Sequence, residues 1–208
     1  MIKPPSQQET TMDLREAFRF PLASQEARKD LLIGGTILWL LPVVGWILNL
    51  GHRLEVVYHI FHAAPPYYRG FRPWTHCFGR GLKAFCAICS YLSPALITAL
   101  IAHRTSSWLY ILAAALFCLA IFTLPGGMTY NAAYNDISYL YRPDKAWRRA
   151  LEGGRAYLHA WGIALMAVCL SFVGLLGLGL GFFYTSVWAW MVVGYVFSRA
   201  LSLQNTPP

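Results

Sequence analysis

The chain has 208 residues, 57% of them hydrophobic and 12% charged, against about 25% charged in soluble domains. That shortage of charge, with apolar residues gathered into long uncharged runs, excludes a soluble domain and leaves an integral membrane protein. The excess of 17 Lys and Arg over 9 Asp and Glu fits cytoplasmic faces beside anionic lipid; nucleic-acid binding is set aside because no basic soluble face rich in aromatics can be separated from the runs.

Residues 1–12 are polar and proline-bearing and read as a disordered tail. Asp13 caps a short helix over 13–20 in which Leu14, Ala17 and Phe18 share one face; it suits the membrane surface, and Pro21 ends it. Ser24 caps a second helix that leads into Leu31–Leu50, twenty uncharged residues with Pro42 and Gly45 near the middle. The stretch is long enough for one span, yet it reads better as a re-entrant element that turns at Pro42–Gly45 and leaves on its side of entry. With the amphipathic helix carrying Arg53 and Glu55, placed at the interface, this element covers 31–63. Ala64-Pro65-Pro66 breaks it, and an aromatic and basic loop follows over Tyr67–Gly79.

Two further runs make a helical hairpin over 82–103 and 107–124, with Pro94 as a kink. Pro125-Gly126-Gly127 opens an interfacial segment over 127–156, broken at Arg142-Pro143-Asp144. Ala160–Ser198 is 39 residues without a charge, about 58 Å as helix. It must fold back at Gly177-x-Gly179-x-Gly181, which gives a second hairpin over 157–178 and 182–203 before the tail at 204–208. The fold expected is a single all-α polytopic membrane domain over 13–203. It has four transmembrane helices, the N-terminal helix-break-helix element and interfacial amphipathic helices. Leu41-Pro42 and Leu124-Pro125 each precede an amphipathic stretch, a basic loop and a glycine-led span, a weak internal echo.

Charge placement decides the topology. Five basic residues precede the first run, five lie between Arg53 and Lys83, five between Arg142 and Arg155, and Arg199 is last; Arg104 stands alone. If Leu31–Leu50 returns, sixteen of these share one face and Arg104 faces them. If it crosses, the basic residues divide between the faces. The positive-inside rule selects the first arrangement, with both termini cytoplasmic.

Chemistry-bearing groups are few. His52, Glu55, His59 and His62 fall on roughly one helix face, so His52, His59 and His62 are candidate ligands for a metal or pigment, although no H-E-x-x-H signature accompanies them. Tyr130, Asn131, Tyr134, Asn135 and Asp136 are candidates for a polar vestibule or for an aromatic interfacial anchor. Cys86-x-x-Cys89 lies inside a span, where packing explains it better than redox chemistry. No charge falls within Ala84–Ala102, Trp108–Leu124 or Ala160–Ser198, which weighs against an ion-coupled transporter. No paired-carboxylate or Ser/His/Asp arrangement supports a hydrolase, so no catalytic residue, metal site or definite cofactor is assigned.

The chain also resembles a prokaryotic membrane-protein family catalogued as domain of unknown function 4013. The likeness runs from about Asp13 to Ser202. It rests on Asp13-Leu14-Arg15-Glu16-Ala17-Phe18, on Lys29 to Gly35 followed by Leu41-Pro42, and on Gly51-His52-Arg53-Leu54. Gly81-Leu82-Lys83, Tyr91, Pro94, Leu124-Pro125 and Gly181-Phe182-Phe183 continue it. The chain departs at His52, where the family usually has Tyr, and at Phe71-Arg72-Pro73-Trp74. The family has no established activity, so the resemblance implies a multi-span fold in a prokaryotic inner membrane and no site residues. The function expected is that of a non-catalytic accessory or scaffolding subunit among other membrane proteins; the alternatives are a small permease-like transporter that uses the re-entrant element and, after it, a metal or pigment binder.

Overall fold

The computed structural model describes residues 13–177 and 179–202, and no strand occurs among them. The tails read at 1–12 and 204–208 lie outside the described residues, as do positions 178 and 203 at the edges of the second hairpin. The helices are α1 (Leu14–Arg19), α2 (Gln25–Leu40), α3 (Pro42–Phe61), α4 (Trp74–Arg104), α5 (Leu109–Tyr134), α6 (Ser138–Tyr141), α7 (Pro143–Glu152), α8 (Gly154–Ser171) and α9 (Leu180–Ser202). Short 3-10 turns at Phe20–Leu22 and Phe172–Leu176 complete them. Four elements are long and apolar enough to cross a bilayer: α4, α5, α8 with its 3-10 extension, and α9. The chain is an all-α polytopic membrane protein.

The N-terminal region is built as a hairpin. Leu41 leaves helical geometry (φ −136°, ψ 75°) and Pro42 starts α3, where its missing N–H costs nothing. The reversal thus falls at Leu41–Pro42. Gly45, expected within the turn, lies inside α3, where a Cβ would stand 2.6 Å from the Ile37 carbonyl oxygen. Farther from the tip the Asn49 amide donates to the Gly34 and Gly45 carbonyls at 3.0 and 2.8 Å, and at the base Asp30 meets His52. Small residues let the backbones close, and a side-chain amide then links them. The tip is apolar and bare, with Leu41 56% and Val43 68% exposed.

Helices α3 and α4 cross backbone to backbone. A Cβ on Gly51 would overlap the Cys77 carbonyl, and one on Gly81 the Ile47 carbonyl. This contact makes α4 begin at Trp74, well before the expected residue 82, because Cys77 and Gly81 form its inner face. Cys77 is therefore a buried helix residue where a loop position was expected.

The segment after Pro125 also differs from expectation: α5 runs on to Tyr134 as helix instead of yielding to an interfacial segment at 127. Proline removes a ladder donor, and the Tyr157 hydroxyl enters at this point. It accepts from the Gly126 N–H at 3.2 Å and donates to the Phe122 carbonyl. A tertiary hydroxyl thus supports the helix across its weak point. Asn135, left-handed at φ 53°, finally ends it.

Amphipathic α7 lays Ala146 and Ala150 against Gly126 and Gly127. The internal echo reappears here as packing, though its register follows the helix crossings and not the two Leu-Pro pairs. Cys77, Arg80 and Gly81 face Gly51 and Glu55, while Ala146, Arg149 and Ala150 face Gly126 and Tyr130. Helices α8 and α9 close the bundle. Their turn begins earlier than Gly177, with Gly174 packed on Gly181 and the Thr185 hydroxyl donating to the Ser171 carbonyl at 2.6 Å. Helix α1 does not simply rest on a surface: Tyr195 donates to Glu16 at 2.6 Å, and Trp188 stacks on Phe18 and donates to its carbonyl. The Thr36 hydroxyl lies 3.2 Å from that of Tyr184, so the α2–α3 tip stands at the same end of the bundle as the α8–α9 turn.

Candidate functional site

Folding α3 back beside α9 places its inner face on a cavity of about 620 Å³ between α3, α5, α8 and α9. The wall is almost wholly apolar, with Trp46, Leu50, Met128, Trp161, Phe183 and Trp190 as its larger groups. One charged side chain lines it, Arg53. Its Nη2 lies 3.3 Å from the Met128 sulfur, and its guanidinium stands 5.1 Å from the centre of the Trp190 ring. Gly194 makes room for the stem, since a Cβ there would come within 3.1 Å of the Arg53 Cγ. Among the described residues no carboxylate lies within ion-pair distance of Arg53. A thioether is a weak acceptor, and a tryptophan face supplies only about 0.5–2 kcal/mol. Arg53 is held in position but not neutralised.

The neighbouring polar groups are paired. His52 Nε2 and Asp30 Oδ2 lie 2.9 Å apart with both residues buried, and the Gly70 N–H donates to the same oxygen at 3.0 Å. The His52 ring stacks on Phe71 with centroids 4.2 Å apart. One turn on, Glu55 pairs with Arg80 and has His59 at 3.6 Å and His76 at 3.9 Å. His59 is buried and neither ring nitrogen makes a hydrogen bond. Burial, with Arg69 adding to it and Glu55 opposing, pulls its imidazole below the ordinary histidine range.

The structure therefore separates the three candidate ligand histidines. His52 serves Asp30, His59 faces Glu55, and exposed His62 contacts its own helix at the Tyr58 carbonyl. No group of three or more potential metal-ligating His, Cys, Asp or Glu side chains stands together among the described residues. The candidate vestibule residues form a helix junction. Asn131 donates to the Asp136 carbonyl, and Asp136 accepts from the N–H and hydroxyl of Ser138, which hold its carboxyl below the usual range. Tyr130 lies under the Arg149 guanidinium, and Tyr134 packs on Phe61 beyond the left-handed Asn135. None of the five lines the Arg53 cavity. Cys86 and Cys89 are free thiols on the outer face of α4.

Compared with protein-family models, curated proteins and solved structures, the chain matches none.

Sequence reasoning put Arg53 at the interface and missed its place in the cavity wall. The signal was spacing: Leu50, Val57 and Ile60 stand three residues before and four and seven after it, so Arg53 shares an apolar stripe. The paired groups beside it yield a stability prediction. Asp30→Ala leaves His52 and the Gly70 N–H without their acceptor and should cost about 3–5 kcal/mol, measured by reversible detergent unfolding. The double change Asp30→Leu with His52→Leu should cost less than Asp30→Ala alone; additive losses would contradict the pairing.

Proposed function

We propose that this is a membrane-embedded binding protein of the permease-like kind, which holds an amphipathic anion in the cavity beside Arg53. The observation that carries the reading is a guanidinium without a carboxylate in the wall of an apolar space. Removing such a charge from water costs several kcal/mol unless an anion joins it, and a lone ionisable group at membrane depth is a functional candidate for that reason. The charge-free run Ala160–Ser198 through α8 and α9 is no obstacle, because the charge comes from the hairpin between them and α5. The probe is anilinonaphthalenesulfonate, an aromatic anion, with protein in phosphatidylcholine nanodiscs. Arg53→Gln should weaken its binding tenfold or more, since a charge-assisted contact contributes about 1.5–3 kcal/mol. Arg148→Gln, on the exposed face of α7, should leave it unchanged. Equal affinity in wild type and Arg53→Gln would remove the reading.

We further infer that the α2–α3 hairpin enters the bilayer and returns, with both termini in the cytoplasm of a prokaryotic cell. Support comes from its bare apolar tip and from the sixteen basic residues that then share one face, opposite Arg104. In a cysteine-free background, a cysteine at Thr105 should react with an impermeant maleimide from outside, and one at Ala64 should not; labelling of Ala64 from outside would overturn the topology. Membership in the domain of unknown function 4013 family belongs to the same reading, and the order of the segments quoted for it is its support.

A second reading, an accessory subunit bound to other membrane proteins, is favoured by the far half of the α4–α5 hairpin. Leu96, Leu100, Trp108 and Ile111 are bare there. Native mass spectrometry after mild extraction separates the readings: a stoichiometric heteromer supports the subunit, and the chain alone supports the binding protein.

A further inference from the structure

The Arg53 cavity is long and narrow. Its wall along α9 extends from Phe182 to Phe197, about 22 Å of helix axis. The Arg53 stem packs on Gly194, and its guanidinium lies at Trp190. From the level of Gly194 back to Phe182 is about 18 Å, and from Trp190 about 12 Å, a range that brackets half of a hydrocarbon core of roughly 30 Å. One extended lipid chain covers that half-thickness. Along this path the wall presents Trp46, Leu50, Phe182, Phe183 and Trp190 and no second charge; the amide of Asn49 is occupied by the Gly34 and Gly45 carbonyls. A volume of 620 Å³ holds on the order of twenty groups of water size, at about 30 Å³ each. That is room for one chain with its head and too little for two.

We propose that the cavity binds a single-chain lipid with a carboxylate or phosphate head. The head pairs with Arg53, and the chain runs along α9 toward Phe182 and Phe183. This rests on the reading of the cavity as an anion site and adds the shape of the ligand. The geometry separates the two ends of the molecule. Among the described residues the wall holds one charge, so an uncharged chain finds no anchor and a short acid leaves part of the slot unfilled.

The test is saturable binding to the full chain in phosphatidylcholine nanodiscs, with empty discs as the blank. Palmitate and palmitoyl lysophosphatidate should each bind at one per chain, and whichever binds tighter identifies the head group. Octanoate, hexadecanol and dipalmitoyl phosphatidate should bind at least tenfold more weakly. Arg53→Gln should weaken palmitate tenfold or more and Arg53→Lys much less. Ser186→Trp, which fills the chain path, should weaken palmitate while sparing anilinonaphthalenesulfonate, and that retained binding shows the variant is folded. Octanoate, hexadecanol or the two-chain phosphatidate binding as tightly as palmitate would overturn the inference. Arg53-dependent binding of anilinonaphthalenesulfonate without palmitate binding would overturn this inference alone; absence of any Arg53 dependence would overturn the anion site as well.

Discussion

The reversal at Leu41–Pro42 is the constraint on which the other arrangements depend. Asn49 ties the two arms along the hairpin through the Gly34 carbonyl, and Asp30, His52 and the Gly70 N–H join at its base. With the arms locked together, α3 enters the bundle between α4 and α9. Two consequences follow from that single placement. Gly51 and Gly81 can meet backbone to backbone, and Arg53 reaches the interior of the bundle.

Electrostatics divides the polar groups of α3 into two kinds. His52 and Glu55 have partners of opposite character within 3 Å, and a buried pair of this sort is costly to break although it adds little net stability. Arg53, between them in sequence, has a sulfur and an aromatic face instead. One face of α3 thus carries the latch and the ion cluster, and another carries the open cation. The latch and the cluster tie α3 to α2, α4 and the loop around Gly70, whereas Arg53 makes no ion pair among the described residues.

Much of this architecture was legible in residue patterns. Long uncharged runs announce the spanning helices, and Asp13 and Ser24 sit where their side chains cap α1 and α2. What was not legible depended on tertiary partners. Pro125-Gly126-Gly127 has every local mark of a helix end, and only the Tyr157 hydroxyl, more than thirty residues away, explains why α5 continues. Gly45 reads as a turn residue by type, whereas its role is close approach to α2. Arg53 reads as an interfacial cation because charge dominates its description, while its spacing to Leu50 and Val57 is that of a core position. The three histidines share a helix face in projection, but α2, α4 and the loop around Gly70 present each with a different surrounding.

The Tyr157 hydroxyl has one more implication. It bridges two points of α5 from a side chain of α8, and Leu124, Pro125 and Trp161, on either side of that bridge, are walls of the Arg53 space. The continuity of α5 past its proline and the position of α8 beside it are therefore coupled through one hydroxyl, together with the Phe122 ring packed on Tyr157 and Trp161. Sliding α8 along its axis would withdraw that oxygen and leave the proline-weakened rung of α5 unsupported. The gap between the two helices consequently has a preferred width, and opening it farther means unfastening α5 first.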